Sequence, residues 1–213
     1  MEFNWLLEII GNEPLFETSL LFAGNVNTQE IRHQLSRWTA AGKIYQLRRG
    51  LYALAPPFQK VIPHPFLIAN HLVPGSYISL QSALAFYGLI PENVPVTTSV
   101  TTGRPGHYST PLGQYHFRHI QTGWFQAYKQ VDLGNNQKAF VAAPEKALLD
   151  LIYLEAGSDS IAYLSELRLQ ALDQLDLQRL SQLAGKESRS KLNRAVEVIR
   201  QIIDEEKTGF ESL

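Results

Sequence analysis

The sequence contains no cysteine. That absence excludes disulfide frameworks, cysteine-ligated zinc, iron–sulfur clusters and thiol catalysis together. No apolar run approaches the ~20 residues that a membrane-spanning helix needs. The first ten residues carry Glu2 and Glu8 and no base, unlike a signal peptide. A cytoplasmic protein is therefore expected. No glycine-rich phosphate loop is present, since the stretch from Gly103 to Gly106 is too short and includes Pro105. Neither sign of charge is in excess: 19 Lys and Arg stand against 20 Asp and Glu. That balance excludes a uniformly basic, histone-like nucleic-acid binder. The hydrophobic share of 45% and charged share of 18% argue against disorder over most of the length. At 213 residues the chain suits one domain or two small ones.

The neutral total hides a division along the chain. Residues 28–60 carry six bases (Arg32, Arg37, Lys43, Arg48, Arg49, Lys60) against the single acid Glu30. The acids Glu2, Glu8, Glu13 and Glu17 all precede this stretch. An anionic partner is to be sought at this basic segment.

The local pattern there is that of a winged helix-turn-helix. Trp5, Leu6, Ile9 and Ile10 fall on one face of a first helix. A short apolar helix is expected over 18–22, stopped by Gly24 and Asn25. Asn27 or Thr28 then caps a helix over 28–41. In it Ile31, Leu35 and Trp38 recur at i, i+4 and i+7 and define a buried stripe. Rotation of ~100° per residue places Gln29, His33, Ser36 and Ala40 opposite that stripe, with Arg32 and Arg37 on the flanks. Residues 44–47 and 51–54 form a β-hairpin with Arg48, Arg49 and Gly50 at its turn. In such a motif the second helix enters the major groove and reads base edges, where Arg suits guanine and Gln or His suits hydrogen bonding. The expected DNA contacts are Thr28, Gln29, Arg32, His33, Ser36, Arg37, Lys43, Arg48 and Arg49. Two alternatives remain open: a winged helix that binds protein, and a hairpin whose arginines merely guard an exposed edge.

The middle of the chain reads as mixed α/β. Helices are expected over 66–72, over 80–89 with Ser79 as cap, and from Pro144 to about Tyr153. Strands are expected over 96–101 and 114–120, with a hairpin of 124–133 and 138–142 around Gly134-Asn135-Asn136. Along 114–120, Gln114, His116 and Arg118 share one side and Tyr115, Phe117 and His119 the other. The histidines His64, His71, His107, His116 and His119 invite a metal reading. However, His116 and His119 lie on opposite faces, and no His-Glu-x-x-His element accompanies them. No metal and no cofactor is expected. Ser79 and Ser82 lack a nucleophile-elbow context. Asp150 and Glu155 read as solvated acids, or as partners of Lys146 at helical spacing. Arg104, His107 and Arg118 could form a second basic surface, or simply fix the turn they flank. A small metal-dependent hydrolase or nuclease using these histidines remains the enzymatic alternative; the preferred reading is not an enzyme.

Several of these segments resemble the AbiEi-type antitoxin regulators. The first is Gly42-Lys43-Ile44 followed by Arg49-Gly50-Leu51-Tyr52. The run from Tyr77-Ile78-Ser79-Leu80 through Gln81-Ser82-Ala83-Leu84 to Tyr87-Gly88-Leu89-Ile90 is the second. Val100-Thr101-Thr102-Gly103-Arg104, Thr110-Pro111 with Gly113, and Ala143-Pro144-Glu145-Lys146-Ala147-Leu148-Leu149-Asp150 continue it in order. The resemblance implies a type IV toxin–antitoxin or abortive-infection regulator. It further implies repression of its own promoter, with inverted repeats as the expected double-stranded DNA target. It also implies counteraction of a nucleotidyltransferase-like toxin by the C-terminal part, without a stable complex.

The last fifty-odd residues read as amphipathic helices that pack on the middle domain. Ile161, Leu164, Leu167, Leu169, Leu172, Leu175, Leu177, Leu180, Leu183, Leu192, Val196, Ile199 and Ile203 supply their apolar series. Lys186, Arg189, Lys191, Arg194 and Arg200 could assist phosphate binding, offset by Glu197, Asp204, Glu205 and Glu206. The expected organisation is α+β: a winged helix-turn-helix over 1–57, a mixed α/β domain over 58–157 and a helical segment over 158–213.

Overall fold

The computed structural model describes residues 2–22, 27–92, 94–186 and 190–210, the side chains of 206–210 excepted. These residues form eight α-helices and two β-sheets, a mixed α+β architecture. None of the helices is long and apolar enough to cross a membrane.

The N-terminal unit begins with α1 (Phe3–Ile10) and the two-residue strand β1 (Phe16–Glu17), then a 3-10 turn over Thr18–Phe22. Helix α2 (Thr28–Ala40) and the strands β2 (Ile44–Arg48) and β3 (Leu51–Leu54) follow. The strands order β1-β3-β2, both pairings antiparallel. Leu6 and Ile10 of α1 join Leu21, Ile31, Leu35, Trp38, Ile44, Tyr52 and Leu54 in a small core. Trp5 and Ile9 do not share this buried face, as their spacing suggested; they are 42% and 37% exposed. A helix eight residues long buries one narrow stripe, and Leu6 and Ile10 fill it. The expected stop at Gly24 and Asn25 lies outside the described residues.

The larger part is built on a six-stranded sheet of order β6-β7-β5-β4-β9-β8. Its strands are β4 (Ser76–Ile78), β5 (Val96–Thr101), β6 (Gly106–Thr110), β7 (Gly113–His119), β8 (Tyr128–Asp132) and β9 (Lys138–Ala142). Pairing is parallel at β4–β9 and β5–β7 and antiparallel elsewhere. Helices α3 (Pro65–Leu72), α4 (Leu80–Phe86) and α5 (Pro144–Leu154) pack against it. Tyr115 and Phe117 of β7 are buried while His119 emerges at the strand end. Residues 106–110 form a strand that the sequence pattern leaves unassigned. The expected long strand from Trp124 splits: Thr122–Trp124 is a 3-10 turn that buries the indole, and extended structure resumes at Tyr128.

Helices α6 (Ile161–Glu166), α7 (Leu177–Gly185) and α8 (Ser190–Phe210) close the chain. Leu180, Leu183, Leu192, Val196, Ile199 and Ile203 are buried in the same core as the sheet. Leu169, Leu172 and Leu175 join them from irregular backbone and a 3-10 turn, whereas Ile161, at the start of the expected series, is 61% exposed because short α6 buries only Leu164.

The small three-stranded sheet is covered on both faces. Phe16, Ile44, Tyr52 and Leu54 face the N-terminal core, while Leu47, Leu51 and Ala53, with Leu15, enter the large one. All four residues of β3 are buried, because alternate side chains serve two different cores.

Candidate nucleic-acid interface

Helix α2 starts where Asn27 accepts hydrogen bonds through Oδ1 from the backbone N–H groups of Gln29 and Glu30, at 3.1 and 3.2 Å. This cap fixes the start and therefore the rotational setting of the helix. Ile31, Leu35 and Trp38 face inward. Gln29, Arg32, His33, Ser36 and Arg37 are all exposed, as is Thr28 at the first turn. The outward surface thus combines amides, a hydroxyl, an imidazole and two guanidinium groups. The Arg32 guanidinium lies 5.7 Å from the Phe22 ring centroid. Arg37 donates to Gln34 Oε1 at 3.5 Å. A recess of about 530 Å³ runs along this side of the helix from Asn27 to Arg37.

The remaining bases of the segment divide. Arg49 is exposed at the β2–β3 turn. Arg48 is turned inward: its Nε donates to the His71 carbonyl at 3.1 Å, and a terminal nitrogen lies 3.5 Å from Glu17 Oε1. Arg49 thus lies at the hairpin turn as expected, whereas Arg48 belongs to the end of β2 and is engaged within the fold. The bulge between Gln46 and Arg48 redirects Arg48 toward α3. The Lys43 ammonium sits 4.6 Å above the Phe3 ring, anchoring the entry to β2. Burial lowers the His71 imidazole, with Glu17 raising and Arg48 lowering it to a smaller degree.

Arg104, His107 and Arg118 do not converge into one basic surface. Arg118 is half-buried, forms an ion pair with Glu155 at 2.7 Å and donates to the Leu154 carbonyl at 3.3 Å. Its charge is therefore neutralised within the fold. Arg104 and His107 are exposed on the β5–β6 connection and on β6.

The C-terminal bases are likewise engaged internally. Lys191 donates to the Glu155 carbonyl, Arg194 pairs with Asp159 at 2.7 Å, and Arg200 donates to Ser181 at 2.8 Å. Lys186 donates to Gln126 Oε1 at 3.2 Å. Arg189 and the side chain of Glu206 lie outside the described residues.

The second cluster of chemistry-bearing groups is internal. Lys146 and Asp150 form an ion pair one helical turn apart, both with no exposed side-chain surface. The other Asp150 oxygen accepts from Tyr77 Oη at 3.0 Å and Ser79 Oγ at 2.6 Å. The Lys146 ammonium lies 3.9 Å from the Trp124 ring centroid. Burial pushes the Asp150 carboxyl up, against the pull of Lys146 and the two hydroxyls. Burial and then Asp150 push the Tyr77 phenol up. Asp150 is thus not a solvated acid. Its neighbour Glu145 is also buried and accepts from the Asp176 backbone N–H at 3.1 Å. Tyr77 and Ser79 on one side and Lys146 and Asp150 on the other tie β4, the α4 entry and α5 together. With no exposed surface, the cluster holds the core and presents nothing to a substrate.

The sequence reading did not find the stacked pair His107–His116, which face each other across β6 and β7 with ring centroids 3.9 Å apart. Both line an open cleft of about 500 Å³ with Leu80, Gln81, Thr98 and Arg118. Leu80 forms its wall in a left-handed conformation, φ 54°, held by the anchored Ser79 before it. No protein-family model and no curated protein matches the chain.

Proposed function

We propose that the N-terminal unit, residues 1–57, is a winged helix-turn-helix that binds double-stranded DNA, with α2 in the major groove. The observation that carries this reading is the exposed polar and cationic face of α2, opposite its buried stripe. Phosphate attraction from Arg32, Arg37 and Arg49 supplies affinity. Base-edge contacts from Gln29, His33, Ser36 and Arg37 supply sequence preference. Thr28, at the first turn, reaches the backbone beside the groove. Arg48 and Lys43 hold the hairpin in place instead of touching phosphate.

The target we infer is the protein's own promoter, so that binding represses transcription of its operon. Following the family resemblance, the C-terminal part counteracts a nucleotidyltransferase-like toxin. Neither role calls for a cofactor or a catalytic residue. The separation of bases supports the division of labour: the α2 face and Arg49 point outward, whereas Arg118, Arg194 and Arg200 are engaged within the larger part.

Two assays test the two halves separately. Substituting Gln29 or His33 with Ala should change which duplexes are preferred; unchanged discrimination would reject this helix face as the reader. Expression of residues 1–213 beside the cognate toxin should restore growth; continued toxicity with soluble protein present would reject the antitoxin role.

A further inference from the structure

We propose that the cleft between β7 and the α4 entry binds a flat heteroaromatic ring of the nucleobase class, guanine in preference to the other bases, stacked on His116. The stack is already begun. His107 and His116 are direct partners in the antiparallel register, their ring centroids 3.9 Å apart and their planes tilted by 22°. Directly paired side chains stand side by side on one sheet face, so this stack runs across the strands. On its other side His116 has Thr98 of β5 as register partner. A third ring that continues the stack therefore enters on the Thr98 side, where Leu80, Gln81 and Val96 also line the cleft. The volume of about 500 Å³ lies within the range of small-molecule sites. Nucleobases stack on imidazoles as they do on other aromatic faces.

The lining suits an uncharged ring. Leu80, Val94, Pro95 and Val96 supply apolar contact. Leu80 is held at φ 54° by the bonds from Ser79 to Asp150 and from Thr98 to the Ser79 carbonyl. A bulky residue keeps that conformation only where its surroundings impose it, as they do around binding sites. Burial, then His107 and Arg118, lower the His116 imidazole, against a weaker upward pull from Glu155, so the ring stacks in its neutral form. The charged groups cancel: Arg118 is paired with Glu155 at 2.7 Å, and Glu92 with Arg168 at 2.8 Å. Among the described residues no unpaired cation lines the cleft, so a phosphate group adds nothing to binding.

Arg118 and Glu155 set the preference among bases. Arg118 is the next residue on the His116 side of β7, and its pair with Glu155 is partly exposed. Glu155 Oε1 accepts from Arg118, while Oε2 makes no hydrogen bond among the described residues, nor does the Gln81 amide. A guanidinium thus stands beside an open carboxylate oxygen. Guanine carries a carbonyl oxygen next to N–H donors on two adjacent atoms of one edge. The carbonyl suits Arg118 or the Gln81 amide, and the two N–H groups suit the Glu155 carboxylate. Adenine, cytosine and uracil lack that adjacent pair of donors.

The test is calorimetric titration of the full chain with guanosine and with the four nucleoside monophosphates. One site is expected, at which guanosine and its monophosphate bind alike, about tenfold or more tighter than the other three. His116→Ala should weaken every base by about tenfold, the scale of one lost stacking contact. His107→Ala should weaken every base as well, and its exposed position lets its loss spare the core. Glu155→Gln should keep binding but level the preference. His119→Ala, on the other face of β7, should change neither. Circular dichroism checks that each variant is folded. A short oligothymidine with one central guanine separates the sources of the ring. Affinity above that of guanosine monophosphate, lost in His116→Ala, marks an unpaired strand; affinity no higher marks a free nucleoside or nucleotide. No binding of any base at millimolar concentration would overturn the proposal. So would undiminished binding in folded His116→Ala and His107→Ala, or a guanine preference that survives Glu155→Gln.

Discussion

Removing the Asp150 carboxylate takes the ion-pair partner from a Lys146 ammonium that is fully buried beside the Trp124 ring. Asp150→Ala is therefore expected to cost about 3–5 kcal/mol, the range for a broken buried pair. Ser79→Ala removes one of several donors to the same carboxylate and should cost about 1–3 kcal/mol. Urea titration of the two variants checks the order; equal effects would contradict the network. The histidines give a pH dependence. Burial lowers His64, His71 and His116 below the ordinary imidazole value of 6.5. The unfolded chain then binds more protons than the folded one, so their contribution is complete above 6.5 and is lost as pH falls below it. The urea midpoint should drop between about pH 7.5 and about pH 5, and drop less in His71→Gln. An equal drop in that variant would remove His71 from the explanation.

At the scale of elements, the two hairpin arginines are expected to behave differently. Arg49→Ala should weaken all duplexes alike and reduce the salt slope of binding by about one. Arg48→Ala should instead lower stability, because it removes contacts to the His71 carbonyl and Glu17, and should leave the slope unchanged. The opposite assignment of slopes would reject this division of the hairpin. Sequence periodicity was enough to place α2 and its stripe of Ile31, Leu35 and Trp38, since one amphipathic helix against one core obeys a simple rule, while the choice of Asn27 over Thr28 as its cap came from the structure. Arg48 was not legible, because a one-residue bulge and the position of α3 decide where it points. Strand β6 was missed because its burial alternates only weakly and its residues are Gly, His, Tyr, Ser and Thr. With it went the cross-strand partner of His116. The fate of Asp150 was half legible: the i, i+4 spacing to Lys146 is in the sequence, but the burial of both comes from β4, Trp124 and the α4 entry.

At the scale of the whole molecule, the small sheet ties the two parts together. Leu47, Leu51 and Ala53 belong to the large core, while Ile44, Tyr52 and Leu54 belong to the small one. The chain should therefore unfold in a single transition. Tryptophan fluorescence, which samples Trp38 and Trp124 in the two cores, and far-ultraviolet circular dichroism should give one shared midpoint. Two separated midpoints would show that the parts are independent. The central claim, that the outward face of α2 reads DNA, is tested most directly by titrating the full chain against its own upstream duplex and a scrambled duplex at two salt concentrations. Binding that weakens with salt and prefers the native duplex at both concentrations is the predicted result. Equal affinity for the two duplexes, or no binding to either, would contradict it.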